Sequence, residues 1–381
     1  MSLEINKYIG ECKESSIRDF ANLAAKIGVT HKMTLGEPDF TTNDIIKNEA
    51  INALKSNKTK YAPTNGILKL RERISQFEKE NNNVFYDPQS EIIVTNGSTE
   101  GLTAALFSIL NPGDEVIVPT PCYALYRSVI EFMGAKMVTL DTSLDDFQIN
   151  AQKLEKLITD KTKALIITSP NNPTGVVQNK KTLDDIHSLC LKNEFYVICD
   201  DCYKELQYGK REIGFEKYQD LRDRIIICQS FSKPYAMTGF RIGYLMTNKE
   251  LMTQIVKMHQ YMIVCENTFT QYAAIKAFDV DVKLYRDEFK LRRDYLMSRL
   301  DKMGITYPKP DGAFYVFINI KKFGLTSFDF CKKLAEVEKL AIIPGYCFEA
   351  EGYARLSYAV SLDEIKICMD LLEDFITNQI K

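Results

Sequence analysis

Seven short runs rich in aliphatic and β-branched residues, many separated by stretches of helical periodicity, limit this chain to a narrow set of folds. The runs lie at 91–94, 115–118, 136–140, 164–168, 196–200, 225–229 and 242–246. Several are continuously apolar rather than alternating, as expected of strands covered on both faces in a largely parallel sheet. Helical patterns fall at 99–110 and 180–192 and, after the last run, at 249–263. Such an order implies right-handed β-α-β units with helices on both sheet faces. Asn111-Pro112-Gly113-Asp114 turns one helix into the next strand, and Pro119 and Pro121 are expected to close that strand.

Near residue 280 the pattern changes. A charged amphipathic helix is expected at 283–302, then a strand at 314–320, a helix at 327–339, a strand at 353–360 and a last helix from 363. At 381 residues the chain is too long for one ordinary core. We expect an N-terminal segment (1–45) that contributes to a small domain, a large domain (46–280) and a small α+β domain (281–381).

Composition narrows the function classes. A formal charge of −2 gives no general attraction for nucleic acid or an anionic membrane. No apolar run reaches 18 residues and the first twenty residues are polar, so a cytoplasmic protein is expected. The ten cysteines are mostly single within apolar stretches, as buried thiols are. Cys199 and Cys202 form one C-x-x-C, but no second pair accompanies it and His31, His187 and His259 are far apart, so no metal is expected.

Open α/β sheets bind ligands at the carboxyl ends of their strands. Thr95-Asn96-Gly97-Ser98-Thr99-Glu100 joins a strand to a helix, where Ser98 or Thr99 either caps the helix or helps present N–H groups to an anion. Ser169-Pro170-Asn171-Asn172-Pro173-Thr174-Gly175 is a polar loop after another strand. Asp200 ends a third, as a helix cap or as a partner for a protonated heterocyclic nitrogen, with Tyr203 three residues on. Lys233 follows a fourth in Ser230-Phe231-Ser232-Lys233, eight residues before Arg241. Partial burial beside a second cation lowers a lysine pKa from about 10 and makes the amine a nucleophile.

In that combination and spacing, the residues resemble the class I/II aminotransferases of pyridoxal 5′-phosphate (PLP) fold type I. The likeness runs from Gly36-Glu37-Pro38-Asp39-Phe40 to Arg355-Leu356-Ser357-Tyr358-Ala359. It is greatest for the bacterial aminotransferase A group, through Ser16-Ile17-Arg18-Asp19-Phe20, 323–330 and Glu351-Gly352-Tyr353.

The resemblance implies an α/β fold with a mostly parallel seven-stranded sheet between helices, plus the smaller α+β domain. It implies PLP held by Lys233 as a Schiff base, with Asp200 on the pyridine nitrogen and Asn172 and Tyr203 on the phenolic oxygen. The phosphate would rest on Ser98, Thr99, Ser230 and Arg241, and Tyr123 would stack on the ring. Gly36, Asn172 and Arg355 would meet the substrate, Arg355 gripping its α-carboxylate. Tyr61 would reach the neighbouring subunit's phosphate, making a homodimer with shared sites.

The implied reaction moves an amino group from an L-amino acid, aromatic or N-acetyl-diaminopimelate-like, to a 2-oxo acid such as 2-oxoglutarate. Thr99 stands where one aspartate-using branch carries a lysine, so a distal carboxylate lacks that cation unless Arg18 supplies one. A carbon–sulfur β-lyase of the same fold is the alternative. Such relatives carry His before Asn-Pro and a His where Tyr203 stands; here Asn171 precedes Asn172-Pro173. A PLP-binding transcription-factor domain would place a DNA-binding module first, and the Gly36 motif begins too early for one.

Overall fold

The computed structural model describes residues 3, 5–12, 16–209 and 211–380. Its largest sheet has seven strands in the order Ile92–Thr95, Gly243–Met246, Ile225–Ser230, Tyr196–Asp200, Thr162–Thr168, Glu115–Thr120 and Lys136–Asp141. Each lies within two residues of a run expected from the sequence. The apolar residues explain this agreement. Ile92, Val94, Ile117, Leu165, Ile167, Val197, Ile225 and Ile227 feed one buried cluster. Their neighbours Ile93, Val116, Val118, Ala164, Ile166, Ile198 and Ile226 feed another. Both parities of each strand are therefore buried, on opposite faces, and the runs read as continuously apolar. Each such aliphatic side chain contributes about 1.5–3 kcal/mol when fully buried.

Within the sheet, Gly243–Met246 runs antiparallel to both neighbours, and the remaining pairings are parallel. That reversal matters for the site. Gly243 pairs with Thr95 on one side and Ser230 on the other, so the start of this strand lies beside the carboxyl ends of its neighbours. Arg241, two residues earlier, is thereby delivered to the same edge. Pro119 lies inside Glu115–Thr120 rather than closing it, paired with Leu140 in the parallel ladder.

The helices Lys180–Lys192, Lys249–Ile263 and Lys283–Lys302 match the expected periodicities, and Ser327–Glu338 and Leu362–Asn378 begin within one residue of expectation. Side chains cap several of them: Asn179 accepts from the Thr182 amide (2.9 Å), Asn248 from Leu251 (3.0 Å) and Thr326 from Asp329 (3.0 Å).

A third cluster joins Phe20 and Met33 to Phe289, Tyr315, Phe317, Phe330, Leu340 and Leu356. Here Tyr353–Ser357 sits between Ile343–Pro344 and Tyr315–Asn319 in an antiparallel sheet, and His31–Lys32 pairs in parallel with Leu340–Ala341. Among the described residues no helix is long and apolar enough to cross a membrane.

Candidate active site

A cavity of about 220 Å³ opens where the large sheet's carboxyl edge meets the antiparallel sheet. Its lining brings together eleven of the twelve residues expected at the site: Gly36, Ser98, Thr99, Tyr123, Asn172, Asp200, Tyr203, Ser230, Lys233, Arg241 and Arg355. Tyr61 does not line it and is 86% exposed on the chain's surface.

Asp200 is buried at the end of Tyr196–Asp200, with Oδ2 accepting from the Tyr126 hydroxyl (2.6 Å), which also meets Thr168 Oγ1 (2.8 Å). Its Oδ1 has no hydrogen-bond partner, and burial pushes the carboxyl above its ordinary pKa. Asp200 caps no helix; the next helical turn, Lys204–Leu206, is preceded by Tyr203 and has no side-chain cap. A buried carboxylate with a free oxygen suits a cationic partner from the cavity.

Lys233 Nζ donates to the Gly36 carbonyl (2.6 Å). Burial lowers its pKa, and Arg241 and Arg355 push the same way against Cys202 and Glu37. More of the amine is therefore neutral and nucleophilic than for a surface lysine.

The helix Gly97–Ile109 begins one residue past its N-cap, Asn96, whose side chain makes no capping bond. Ser98 and Thr99 thus lie inside the first turn and do not act as the cap. Unlike the capped helices above, this end leaves its amides for an anion. Gly97 has φ +71°, and a β-carbon there would lie 2.6 Å from Arg241 Nη2. The absent side chain lets the guanidinium lie against the helix start. Ser230, buried on the adjoining strand, accepts from the Ser232 amide (3.1 Å).

Arg355 is buried, with Nη1 donating to Asn172 Oδ1 (2.9 Å) and Nη2 to the Thr34 carbonyl (2.8 Å), while Nε is unpartnered. Its guanidinium packs 4.4 Å from the Tyr315 ring centre and 4.8 Å from that of Phe348. With its carbonyl on Arg355, Asn172 keeps its amide donors available. Tyr123 forms part of the wall, edge-on to Tyr126 (6.0 Å, 86°).

Nine lining residues were not singled out in the sequence as site residues, among them Tyr126, Ser232, Tyr315 and Ile17. Ile17 faces the cavity from the helix Ser16–Ile27, whereas Arg18 is exposed and does not line it.

Residues 30–372 match the family described as aminotransferase class I and II. The chain belongs to this family. The enzyme is an aminotransferase, and the cofactor of its family is pyridoxal 5′-phosphate. It is 39% identical to a probable N-acetyl-LL-diaminopimelate aminotransferase of Bacillus subtilis, over 98% of this chain and 95% of the relative. It is 35% identical to aromatic-amino-acid aminotransferase 2 of Thermococcus litoralis, over 94% and 95%. A solved aspartate aminotransferase of Thermotoga maritima superposes with TM-score 0.94 at 34% identity, covering 98% of this chain and all of that one. The aminotransferase's donor set fits PLP: Asp200 Oδ1 awaits a cationic partner, the uncapped helix start and Arg241 suit a phosphate, and Lys233 offers an amine.

Proposed function

We propose that this aminotransferase carries the amino group of an L-amino acid with an aromatic or long side chain to a 2-oxo acid such as 2-oxoglutarate. The lining carries this reading. Among the described lining residues the lysines and arginines are Lys233, Arg241 and Arg355, leaving no fourth cation for a distal carboxylate. Ile17, Leu102 and Leu125 supply apolar wall instead. A buried unpaired carboxylate is costly, so aspartate is a poor donor, and the longer 2-oxoglutarate must keep its distal carboxylate in solvent at the cavity mouth.

When bound, PLP supplies an aldehyde for amine capture and a ring that withdraws electrons from the substrate's Cα. Lys233 would hold the cofactor through its amine, and the same amine, when free, would carry the proton between the substrate's Cα and the cofactor carbon across the shared nitrogen. Asp200 keeps the ring nitrogen protonated. Asn172 and Tyr203 donate to the phenolic oxygen. Ser98, Thr99, Ser230 and Arg241 hold the phosphate, while Tyr123 covers the ring face. Arg355 grips the α-carboxylate in a planar fork near Gly36. Tyr61, exposed on one chain, completes the phosphate site of a second copy in a homodimer. Residues 46–280 form the large domain, and 281–381, with a contribution from the N-terminal segment 1–45, the small one.

The test is a donor panel on the PLP-loaded protein. Each L-amino acid is added alone, the cofactor's absorbance is followed, and 2-oxoglutarate is then supplied. Aromatic or long donors should bleach the band and 2-oxoglutarate restore it with glutamate released. Pyruvate and ammonia from a cysteine conjugate, without the matching oxo acid, would overturn transamination. A wide preference for aspartate would overturn the substrate class.

A further inference from the structure

The hydroxyls of Tyr203 and Tyr315 lie 2.7 Å apart, and both residues are buried. Tyr203 comes from the turn after Tyr196–Asp200 and Tyr315 from the first position of Tyr315–Asn319, 112 residues later. The rings meet edge-on, 5.6 Å apart at 77°. Tyr315 is constrained on two further sides. Arg355 lies 4.4 Å from its ring centre, and a β-carbon on Gly36 would lie 3.0 Å from its hydroxyl.

A phenol carries one proton and can accept two more. In a pair of phenols, the one nearer a cation is the stronger acid and the better donor. Arg355 packed on the Tyr315 face makes Tyr315 that donor and Tyr203 the acceptor. The remaining proton, on Tyr203, is then directed into the cavity. The other titratable groups facing the pair are Cys202 and Tyr123, with Lys233 and Asp200 elsewhere in the same lining. Neither Cys202 nor Tyr123 carries a formal charge in its protonated form.

We propose that Tyr315 is a positioning residue: its hydroxyl fixes the direction in which Tyr203 presents its proton to the cofactor's phenolic oxygen. The inference rests on the cavity being the PLP site. Through this contact the strand beside the substrate clamp sets the charge distribution at the Lys233 linkage. A firmly directed donor favours negative charge on the phenolic oxygen and withholds that oxygen from the linkage nitrogen, which lowers the nitrogen's pKa. Losing the direction raises it.

The experiment is a pH titration of the bound cofactor's absorbance in wild type, Tyr315→Phe, Tyr203→Phe and the double variant. Phenylalanine keeps the packing and leaves Arg355 an aromatic face. Tyr315→Phe should raise the midpoint by about half to one pH unit, the size of one hydrogen bond's net effect. Tyr203→Phe should raise it at least as far, and the double variant no further than Tyr203→Phe, because Tyr315 acts only through Tyr203. KM for the amino donor should stay within about twofold in Tyr315→Phe while kcat falls, the pattern of a lost transition-state interaction. A midpoint unmoved in Tyr315→Phe but moved in Tyr203→Phe overturns the inference and leaves the function intact. A double variant that exceeds Tyr203→Phe overturns it by making Tyr315 a direct contact. A wild-type protein that takes up no PLP overturns both.

Discussion

Arg355 and Asn172, separated by 183 residues of sequence, share a 2.9 Å hydrogen bond that ties the proposed substrate clamp to the loop beside the proposed cofactor pocket. The bond uses one guanidinium arm, the Thr34 carbonyl takes a second, and Nε has no partner. A substrate carboxylate would approach a fork already aimed by two contacts and two aromatic faces. Lysine cannot reproduce that arrangement. Arg355→Lys should retain PLP but lose about 1.5–3 kcal/mol of carboxylate binding for each charged hydrogen bond disrupted. Kinetics unchanged for every donor and acceptor would remove Arg355 from the substrate site.

Lys233→Ala should give a folded protein that binds PLP without a covalent link. Borohydride treatment and peptide mapping of the wild type should place the label on Lys233, whose amine meets the Gly36 carbonyl at the cavity wall. A label on any other lysine would reassign the nucleophile.

Ile17, rather than its charged neighbour, faces the cavity. Ile17→Ala should lower kcat/KM for an aromatic donor about 10-fold, the effect of lost methylenes in an apolar pocket. Arg18→Ala should change either half-reaction by less than about twofold, because an exposed side chain contributes little. Selective loss of 2-oxoglutarate turnover in Arg18→Ala would mean that the helix Ser16–Ile27 turns when a dicarboxylate binds.

Behind Asp200 lies a buried charge cluster of Asp201, Lys204 and Glu216. Lys204 pairs with Glu216 and lies 3.5 Å from Asp201. Burial pushes the Asp201 carboxyl up to about 7; Glu216 is also buried, but Lys204 holds it below the usual value. Asp201 binds its proton more tightly folded than unfolded, so the stability it contributes is full at acid pH. That contribution is lost as pH rises from about 4 through 7. Chemical denaturation from pH 5 to 8 should show a decline of about 1–3 kcal/mol from this residue, flattened in Asp201→Asn. Buried Glu266 also sits at about 7, so the difference between the two proteins is the quantity to read. Lys204→Met should cost about 3–5 kcal/mol by stranding two buried carboxylates.

Tyr61 should act across subunits. Mixing inactive Tyr61→Ala and Lys233→Ala proteins should restore activity in hybrid dimers that hold one intact site. A monomer fully active at catalytic dilution would remove the shared site.

The strands were legible in the sequence because burial on both faces leaves an unbroken apolar signature, as at Ile225–Ser230. Asp200, Lys233 and Arg241 were legible because each lies within a few residues of a strand end. Tyr315 was not: its contact with Tyr203 spans 112 residues, and its own segment reads only as a buried strand. Tyr126 left a faint signal, three residues after Tyr123 at the start of the helix Leu125–Phe132, yet aromatic spacing does not tell a wall residue from a partner of Asp200. The helix Ser16–Ile27 was not read from the sequence, where 16–20 served only as a family likeness, and nothing there fixed which neighbour, Ile17 or Arg18, turns inward.

The proposed anion end of the cavity is defined by a subtraction. Gly97 contributes no side chain, and Arg241 occupies the space a β-carbon would take. Because Arg241 arrives on the reversed strand that zips Thr95 to Ser230, a phosphate held there would staple three neighbouring strands at their ends. The cofactor would then serve as a structural rivet as well as a reagent, and its departure would loosen the sheet at the edge where the chemistry takes place.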